Sequence, residues 1–371
     1  RQLNEQSIVL RVNELADGDA RAAYKNTQLD MRQYKKLRME AHAEAITGDV
    51  LENNELVAFI RLGTDYKDNY YEYEVPLELT PPGRYDNDSE SDRQIVWPGS
   101  NQFEVVLDDF KELKQARNRA MSDPESDVAV SSVYSEIDEE GNRISVTGNP
   151  NLSSVRTIMI GVRNPKAGNN PYGPDDGLPK SGEIWLNELR LTDFNDHGGW
   201  AANGRASLKL ADFGNVTFAG NTSQPGFGSI EQKIQERQLE QIIQYDISGN
   251  LQMGKFFKQE SGVNIPVFAS YSKAIVNPEY NPLDPDVPLK EAIDEAETEA
   301  ERDSIIRNAR DVVERKAFAV TNVRMNKSGN KKHFYSLSNW STSFSMNEMQ
   351  SRNPNLNYYN TSKVRGLSLI H

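Results

Sequence analysis

A mainly β fold built from antiparallel, sandwich-like modules is what this sequence predicts, and three features point to it. Residues 34–46, YKKLRMEAHAEAI, alternate Leu37, Met39, Ala41 and Ala43 with Lys36, Arg38, Glu40 and His42, giving one buried and one wet face. Runs rich in β-branched and aromatic residues follow at 55–63 and 70–83, before Pro81 and Pro82 stop the second. No long helix separates these runs, which favours antiparallel pairing over a doubly wound sheet.

Taken in order, a first module is expected over 1–105, opening with a strand at 7–15 and passing through the polar segment DGDARAAYKN into the alternating run. A helix and polar linker should occupy 106–150, with Asp108 or Asp109 at the start of DDFKELKQARNRA, where carboxylates suit free amides. The best strand of that linker is GNRISVT at 141–147. A second β module is expected over 151–200. Its run at 181–194 does not hold Ile184, Leu186, Leu189 and Leu191 on one parity, which predicts a bulge or an edge irregularity near Asn187 and Glu188.

From 201 to 371 the strands lengthen. Ala206, Leu208 and Leu210 face one way, a turn falls at 212–215, and Val216 and Phe218 return, so 204–221 reads as a hairpin. Further alternation at 245–253, 263–272, 340–346 and 364–370 gives runs near the roughly 9–11 residues of a tilted transmembrane strand. Small hydroxyls opposite bulky apolar groups at 340–346 suit a lipid-facing strand, and an ordinary sandwich strand requires the same pattern. Helices are expected at 229–243, where Ser229 and Gln232 have capping-box spacing, and at 289–317, with acids early and Arg310, Arg315 and Lys316 late.

Composition narrows the function classes. The chain has 371 residues, 37% apolar and 26% charged, with net charge −13, and has no apolar run long enough for a helical span. Barrel strands, which bury only alternate residues in lipid, remain compatible with that balance. An acidic chain is a poor partner for phosphate backbones, so no nucleic acid is expected. The absence of cysteine excludes disulfides and thiolate chemistry, and His42, His197, His333 and His371 lie too far apart for a Cys/His zinc site. The arginine start and the abrupt finish in an alternating run read as cuts in something longer.

Catalytic signals are weak. The chain holds no G-x-S-x-G, H-E-x-x-H, G-x-G-x-x-G or P-loop pattern, and among 55 acidic residues no carboxylate pair is singled out as a glycosidase would need. No enzyme and no cofactor is expected. Asp86, Asp88, Glu90 and Asp92 alternate as calcium ligands sometimes do, without the glycine and closing bidentate acid of an EF-hand loop, and an acidic loop is the expectation. Tyr70, Tyr71 and Tyr73, with Trp97 nearby, offer a possible glycan- or peptide-stacking platform against the plainer reading of one sheet face and its edge. Loops rich in Gly, Asn and Pro at 164–179, 193–204 and 277–288 suit rigid turns and partner contacts.

Long idiosyncratic strings add a resemblance. LNEQSIVLRVNELADGDARAAYKNTQLDMRQYKKLRMEAHAE (3–44), WPGSNQFEVVLDDFKELKQARN (97–118), NPNLSSVRTIMIGVRNP (149–165), SGEIWLNELRLTDFNDHGGWAANGRASLKLADFGNVTFAG (181–220) and IPVFASYSKAIVNPEYNPLDPDV (265–287) are similar to the SprA/Sov family. These are the giant outer-membrane translocons of the Bacteroidetes type IX secretion system, and the similarity covers nearly the whole chain.

The resemblance implies an internal section of a very large transmembrane β-barrel that exports folded cargo and supports gliding motility, without catalysis. Its implied partners are cargo C-terminal domains, other outer-membrane and periplasmic subunits of the system, and outer-membrane lipid. Soluble β modules would precede residue 200, and barrel strands with inserted helices would follow. Asp193, Asn195, His197 and Trp200, with Asn277, Tyr280, Asn281 and Asp284, would then belong to gate- or lumen-lining loops. The alternative is a secreted or surface sandwich that binds glycan or peptide through Tyr70, Tyr71, Tyr73 and Trp97.

Overall fold

The computed structural model describes residues 7–46, 51–86, 88–173, 176–233, 236–296, 298–325 and 336–369. It divides into two units, Arg1–Asn195 and Asp196–His371.

Unit 1 runs β1 (Ile8–Leu15), β2 (Ala20–Leu29), β3 (Tyr34–Ala45), β4 (Val57–Gly63), β5 (Tyr70–Pro76), α1 (Glu90–Val96), β6 (Phe103–Val106), α2 (Leu107–Ser122), β7 (Tyr134–Ile137), β8 (Arg143–Thr147), β9 (Val155–Arg163) and β10 (Lys180–Phe194). A four-stranded sheet has the order β1-β10-β3-β6 and a six-stranded sheet the order β2-β9-β4-β5-β8-β7, with antiparallel pairing throughout. Leu37, Met39, Ala41 and Ala43 of β3 share one core cluster with Ile60 and Leu62 of β4 and Tyr71 and Tyr73 of β5. The two sheets therefore pack as the expected sandwich. Phe110 of α2 joins that core and stacks on Tyr71, ring centroids 4.9 Å apart.

The division inside unit 1 differs from the sequence reading. β9 lies between β2 and β4, and β10 between β1 and β3, so residues 151–195 complete the sheets begun before residue 105 instead of forming a second module. The segment 106–150 is structural as well, supplying α2, β7 and β8. Alternation reports a strand's own two faces and carries no information about its neighbour, which is why the interleaving was hidden. The polar segment before Tyr34 is β2, an edge strand exposed along nearly its whole length and hence without an apolar face to read. The bulge expected near Asn187 is present: the register with β3 shifts between Asn187 and Arg190, and Glu188 has φ 51°.

The outer face of the six-stranded sheet carries buried charge. Glu72 and Glu74 of β5 are 4% and 0% exposed. Arg61 Nε donates to Glu72 Oε2 at 2.5 Å, and the Arg163 guanidinium donates to both Glu72 oxygens at 3.1 and 3.0 Å. Glu74 pairs with Arg143 and Arg163. Arg61 also lies 4.0 Å from the Tyr70 ring centroid and donates to the Tyr66 carbonyl. Three strands besides β5 are thus tied to its two carboxylates, and the Arg61 and Arg163 guanidiniums are each held by more than one contact.

Unit 2 runs β11 (Ala201–Leu210), β12 (Gly214–Ser223), β13 (Glu240–Gln252), β14 (Val263–Asn264), β15 (Pro266–Pro278), β16 (Tyr280–Asn281), β17 (Asp284–Pro288), α3 (Leu289–Asp294), α4 (Glu299–Ala309), β18 (Asp311–Met325), β19 (Trp340–Asn353) and β20 (Leu356–Leu369). The long strands form an antiparallel meander in the order β11-β12-β13-β15-β18-β19-β20, with β14 beside β18. Among the described residues β11 and β20 are edges, so the sheet is open and no closed barrel is formed.

Both expected helices of this unit need correction. Residues 229–233 and 236–239 form turns and irregular chain, and β13 already begins at Glu240; residues 234 and 235 lie outside the described residues. The long helix of 289–317 is instead α3, α4 and the first half of β18. Thr298 caps α4 by accepting from the Glu301 amide at 3.2 Å, and from Asp311 the β-branched Val312 and Val313 enter the sheet. Charge order along the sequence resembled a helix because dipole preferences say nothing about a neighbouring strand that needs a partner.

Two predictions concern unit 1. Glu72→Ala leaves Arg61 without its carboxylate and Arg163 with Glu74 alone in a buried site, and should cost about 3–5 kcal/mol, read as a lower urea midpoint at unchanged slope. Asp109, in the first turn of α2, has its carboxyl raised to about 6 by burial and then by Glu112, Asp138, Glu140 and Asp108. Its folded value exceeds its ordinary value of 3.8, so its contribution is most favourable below pH 4 and is lost as pH rises through 6. Asp109→Asn should therefore raise stability at pH 7, by about 1 kcal/mol after allowance for solvent screening, with no gain at pH 4.

Candidate functional site

The sheet of unit 2 is the feature without a structural explanation of its own. Among the described residues its only buried apolar side chains are Val287, Leu289 and Ala309, all within the connection from β15 to β18. Neither face of the long strands has a core.

The register sorts their side chains into two unlike faces. One row across six strands reads Ser207, Thr217, Ser248, Ser270, Ala317 and Asn347. Its neighbour on the other face reads Leu208, Val216, Gly249, Ala269, Phe318 and Met346. Leu251, Val267, Val320 and Phe344 align in the next row of that apolar face. Opposed residues in an antiparallel pair project to the same side, so in these rows small hydroxyl and amide groups fall on one surface and apolar groups on the other. Leu208 is 63% and Phe318 42% exposed, a state that water penalises.

The apolar face ends along an oblique border. On β15 it stops after Tyr271, which precedes Lys273; on β18 it stops between Phe318 and Lys316; on β20 it stops between Leu367 and Arg365. Tyr271 pairs with Lys316, whereas Phe344 pairs with Arg365, so the border crosses the hydrogen-bonded rows at a slant. A planar boundary drawn across tilted strands has this form. Tyr245 and Tyr271 lie side by side at the border, ring centroids 6.0 Å apart. Beyond them Lys316 Nζ is 2.9 Å from Glu314 Oε1 and 3.8 Å from Glu348 Oε1.

The candidate loop residues divide between the units. Asp193 lies in β10 with φ 56°, and the Asn195 amide donates to the Gln33 carbonyl at 2.6 Å, so both belong to unit 1. His197 and Trp200 precede β11; Asn277 is in β15, Tyr280 and Asn281 form β16, and Asp284 opens β17. The meander places these six residues at one end of the sheet, because β11 begins there and β15 finishes there. The Gln224 amide donates to the Trp200 carbonyl at 2.9 Å, Gln241 Nε2 to Gln224 Oε1 at 3.1 Å, and Asn277 Nδ2 to Gln241 Oε1 at 2.7 Å. Gln224 and Gln241 carry no sequence signal for this linkage. A Cβ on Gly199 would lie 2.2 Å from the Phe227 amide nitrogen, so the first loop closes against the 225–227 turn only with glycine there. In the second, Asn281 Oδ1 accepts from the Leu283 amide at 3.1 Å and the Leu289 amide donates to the Glu279 carbonyl at 2.8 Å.

The stacking platform is overturned. Tyr70, Tyr71 and Tyr73 are 6%, 0% and 2% exposed. Tyr71 and Tyr73 point into the sandwich core, Tyr73 donating to Asp138 Oδ2 at 2.6 Å, while Tyr70 lies under Arg61 on the opposite face. Burial, with the Asp138 carboxylate second, pushes the Tyr73 phenol far above its usual range. Trp97 is half-buried against His42, ring centroids 5.8 Å apart. These rings hold the fold together, since aromatic strand residues serve core and recognition equally and only packing separates the two uses.

The alternating acids are local structure. The Asp86 amide donates to Asp92 Oδ2 at 2.8 Å, the Asp88 amide to Asp86 Oδ1 at 3.0 Å, and Ser89 caps α1. His42 is a buried strand side chain, its Nδ1 2.8 Å from the Val96 carbonyl and 2.9 Å from Thr80 Oγ1. His333 and His371 lie outside the described residues. Among the described residues no group of His, Asp or Glu is arranged to hold a metal ion, and no helix is long and apolar enough to cross a membrane.

The geometry therefore defines a two-part antiparallel β protein, a sandwich with a packed core and a coreless meander with one polar and one apolar face. The family model SprA_N, motility related/secretion protein, matches residues 1–293, and the chain belongs to that family. No curated protein matches the chain.

Gln241→Ala should loosen the end of the sheet where His197, Trp200 and Asn277 meet. Loss of its two amide bonds should cost about 1 kcal/mol locally and speed amide exchange at Gln224 and Glu279, while exchange at Ala317 in mid-sheet stays unchanged.

Proposed function

We propose that unit 2 is an arc of the wall of a large outer-membrane β-barrel through which folded cargo is exported. The observation that carries this reading is the two-faced sheet without a core. In water its apolar face is a liability, whereas against hydrocarbon the same face is solvated and the hydrogen-bonded ladders satisfy the backbone. The Ser, Thr and Asn rows then line a wet lumen.

Membership of a motility and secretion family and the resemblance to type IX translocons support this assignment. On this reading further strands meet the edges β11 and β20, unit 1 is an aqueous module, and the chain performs no reaction. Its partners are cargo C-terminal domains, other outer-membrane and periplasmic subunits of the secretion system, and outer-membrane lipid. His197, Trp200, Asn277, Tyr280, Asn281 and Asp284, gathered at one end of the arc, line or close its mouth. Substitution across both loops should raise the closed-state leak or reduce cargo export; if neither changes, the gate assignment fails.

Neighbouring residues on opposite faces give the sharper test. Phe318→Arg puts a charge on the lipid face and should cost about 2–4 kcal/mol if that position is near the bilayer midplane, lowering the amount of protein assembled in the outer membrane and the cargo secreted. Ala317→Arg places the same charge on the polar face and should leave assembly intact. Equal tolerance of both in outer-membrane fractions would overturn the barrel reading.

A further inference from the structure

The connection from β13 to β15 has a feature that the barrel wall alone does not require. Along β13 the apolar face runs from the Tyr245 border to Leu251, and in the same row it continues through Leu210 of β11 and Val267 of β15 to the strand ends without a polar border. At this end the border must lie in the connections. There Phe213 occupies the β11–β12 turn and packs edge-on against Phe256, ring centroids 4.5 Å apart. Phe256 is 70% exposed and the adjacent Phe257 52%.

These rings stand on a built scaffold. The Met253 amide donates to the Ile265 carbonyl at 2.9 Å, the Phe257 amide to the Gly254 carbonyl at 3.1 Å and the Ser261 amide to the Lys258 carbonyl at 2.9 Å. A Cβ on Gly254 would lie 2.3 Å from the Val263 carbonyl oxygen, so the short 3₁₀ turn Met253–Phe256 is pressed against β14, and a second such turn, Gln259–Ser261, follows it. Lys255 and Lys258 are exposed beside the rings, Lys255 Nζ lying 2.8 Å from Asp212 Oδ2. Both lysines, with Gln252, Gln259 and Asn264, wall a cleft of about 510 Å³.

We infer that this connection is an interfacial anchor, with Phe256 and Phe257 seated at the boundary between acyl chains and headgroups and Lys255 and Lys258 facing lipid phosphate. The inference rests on the barrel reading. The span Tyr245 to Leu251 covers about 20 Å along the strand, hence about 14 Å along the normal at a 45° tilt, short of the ~25 Å apolar band of outer-membrane barrels. Phe213, Phe256 and Phe257 supply the missing depth, and the lysines follow where phosphate begins. Aromatic rings with adjoining cations are the side-chain set that such a boundary favours. At the opposite border Tyr245 and Tyr271, followed by Lys273, take the corresponding place.

This chain contains no cysteine, so once any cysteine elsewhere in the full-length protein is replaced by serine, single cysteines here can be spin-labelled without background. Phe257→Cys, Phe256→Cys, Phe318→Cys and Ser270→Cys would be placed separately in the full-length protein and reconstituted in vesicles of phosphatidylethanolamine and phosphatidylglycerol. Accessibility to oxygen and to an aqueous nickel chelate then reads depth. The expected result is a lipid signature at 318, a water signature at 270 and intermediate, headgroup-level values at 256 and 257. Lipid at 318 with fully aqueous probes at 256 and 257, or with probes as deep as 318, overturns the anchor and leaves the barrel reading standing. An aqueous probe at 318 overturns both.

Discussion

Cross-strand backbone pairing is the constraint on which the rest of unit 2 depends. Each long strand from β12 to β19 is hydrogen-bonded on both sides, so its amides and carbonyls are satisfied without water and without a core. That freedom lets the side chains of one face be chosen for hydrocarbon and those of the other for water. An ordinary domain cannot make that choice, because burial of apolar surface is what stabilises its sheets. Only β11 and β20 retain an unpaired edge among the described residues, and these are the places where another strand can add.

Unit 1 solves the opposite problem. Its sheets face each other across Leu37, Met39, Ile60, Leu62, Tyr71 and Tyr73, so the inner surface is stabilised by burial. Its outer surface is held by the Glu72 and Glu74 network with Arg61, Arg143 and Arg163, where two buried carboxylates are shared among three guanidiniums instead of being left to solvent. Such pairs add little net stability over apolar packing, but they fix register, because a slip of one residue would bring the carboxylates to the wrong face. Asn164, just after β9, ties the two sheets together, its Nδ2 donating to the Leu15 and Leu178 carbonyls at 3.0 Å each.

Strand identity was largely legible. The alternation at 34–46, the bulge at Asn187 and Glu188 and the hairpin around residue 213 follow from local parity and turn chemistry, and each is present. β2 was illegible because an exposed edge strand has no apolar period, and the helix expected at 229–243 failed because a capping-box spacing needs an amphipathic run behind it to matter. The site divided in the same way. The loops carrying His197, Trp200 and Asn277 stood out by their Gly, Asn and Pro content, whereas Gln224 and Gln241, which link them, were invisible. The tyrosines singled out for recognition proved to be core or to lie beneath Arg61.

By itself the sequence determined the class of the protein: antiparallel strands of alternating polarity, no cysteine chemistry, no apolar helix of membrane length, and strings characteristic of one secretion family. These are local properties, because side-chain period and residue type are set within a few residues of chain. Only the tertiary structure decided that 151–195 closes the first sandwich, that the platform tyrosines are buried, and that a row of small hydroxyls and rows of apolar side chains align on opposite faces of one sheet. Those outcomes depend on which strands pair and in what register, and such choices are made by contacts between residues far apart in the chain.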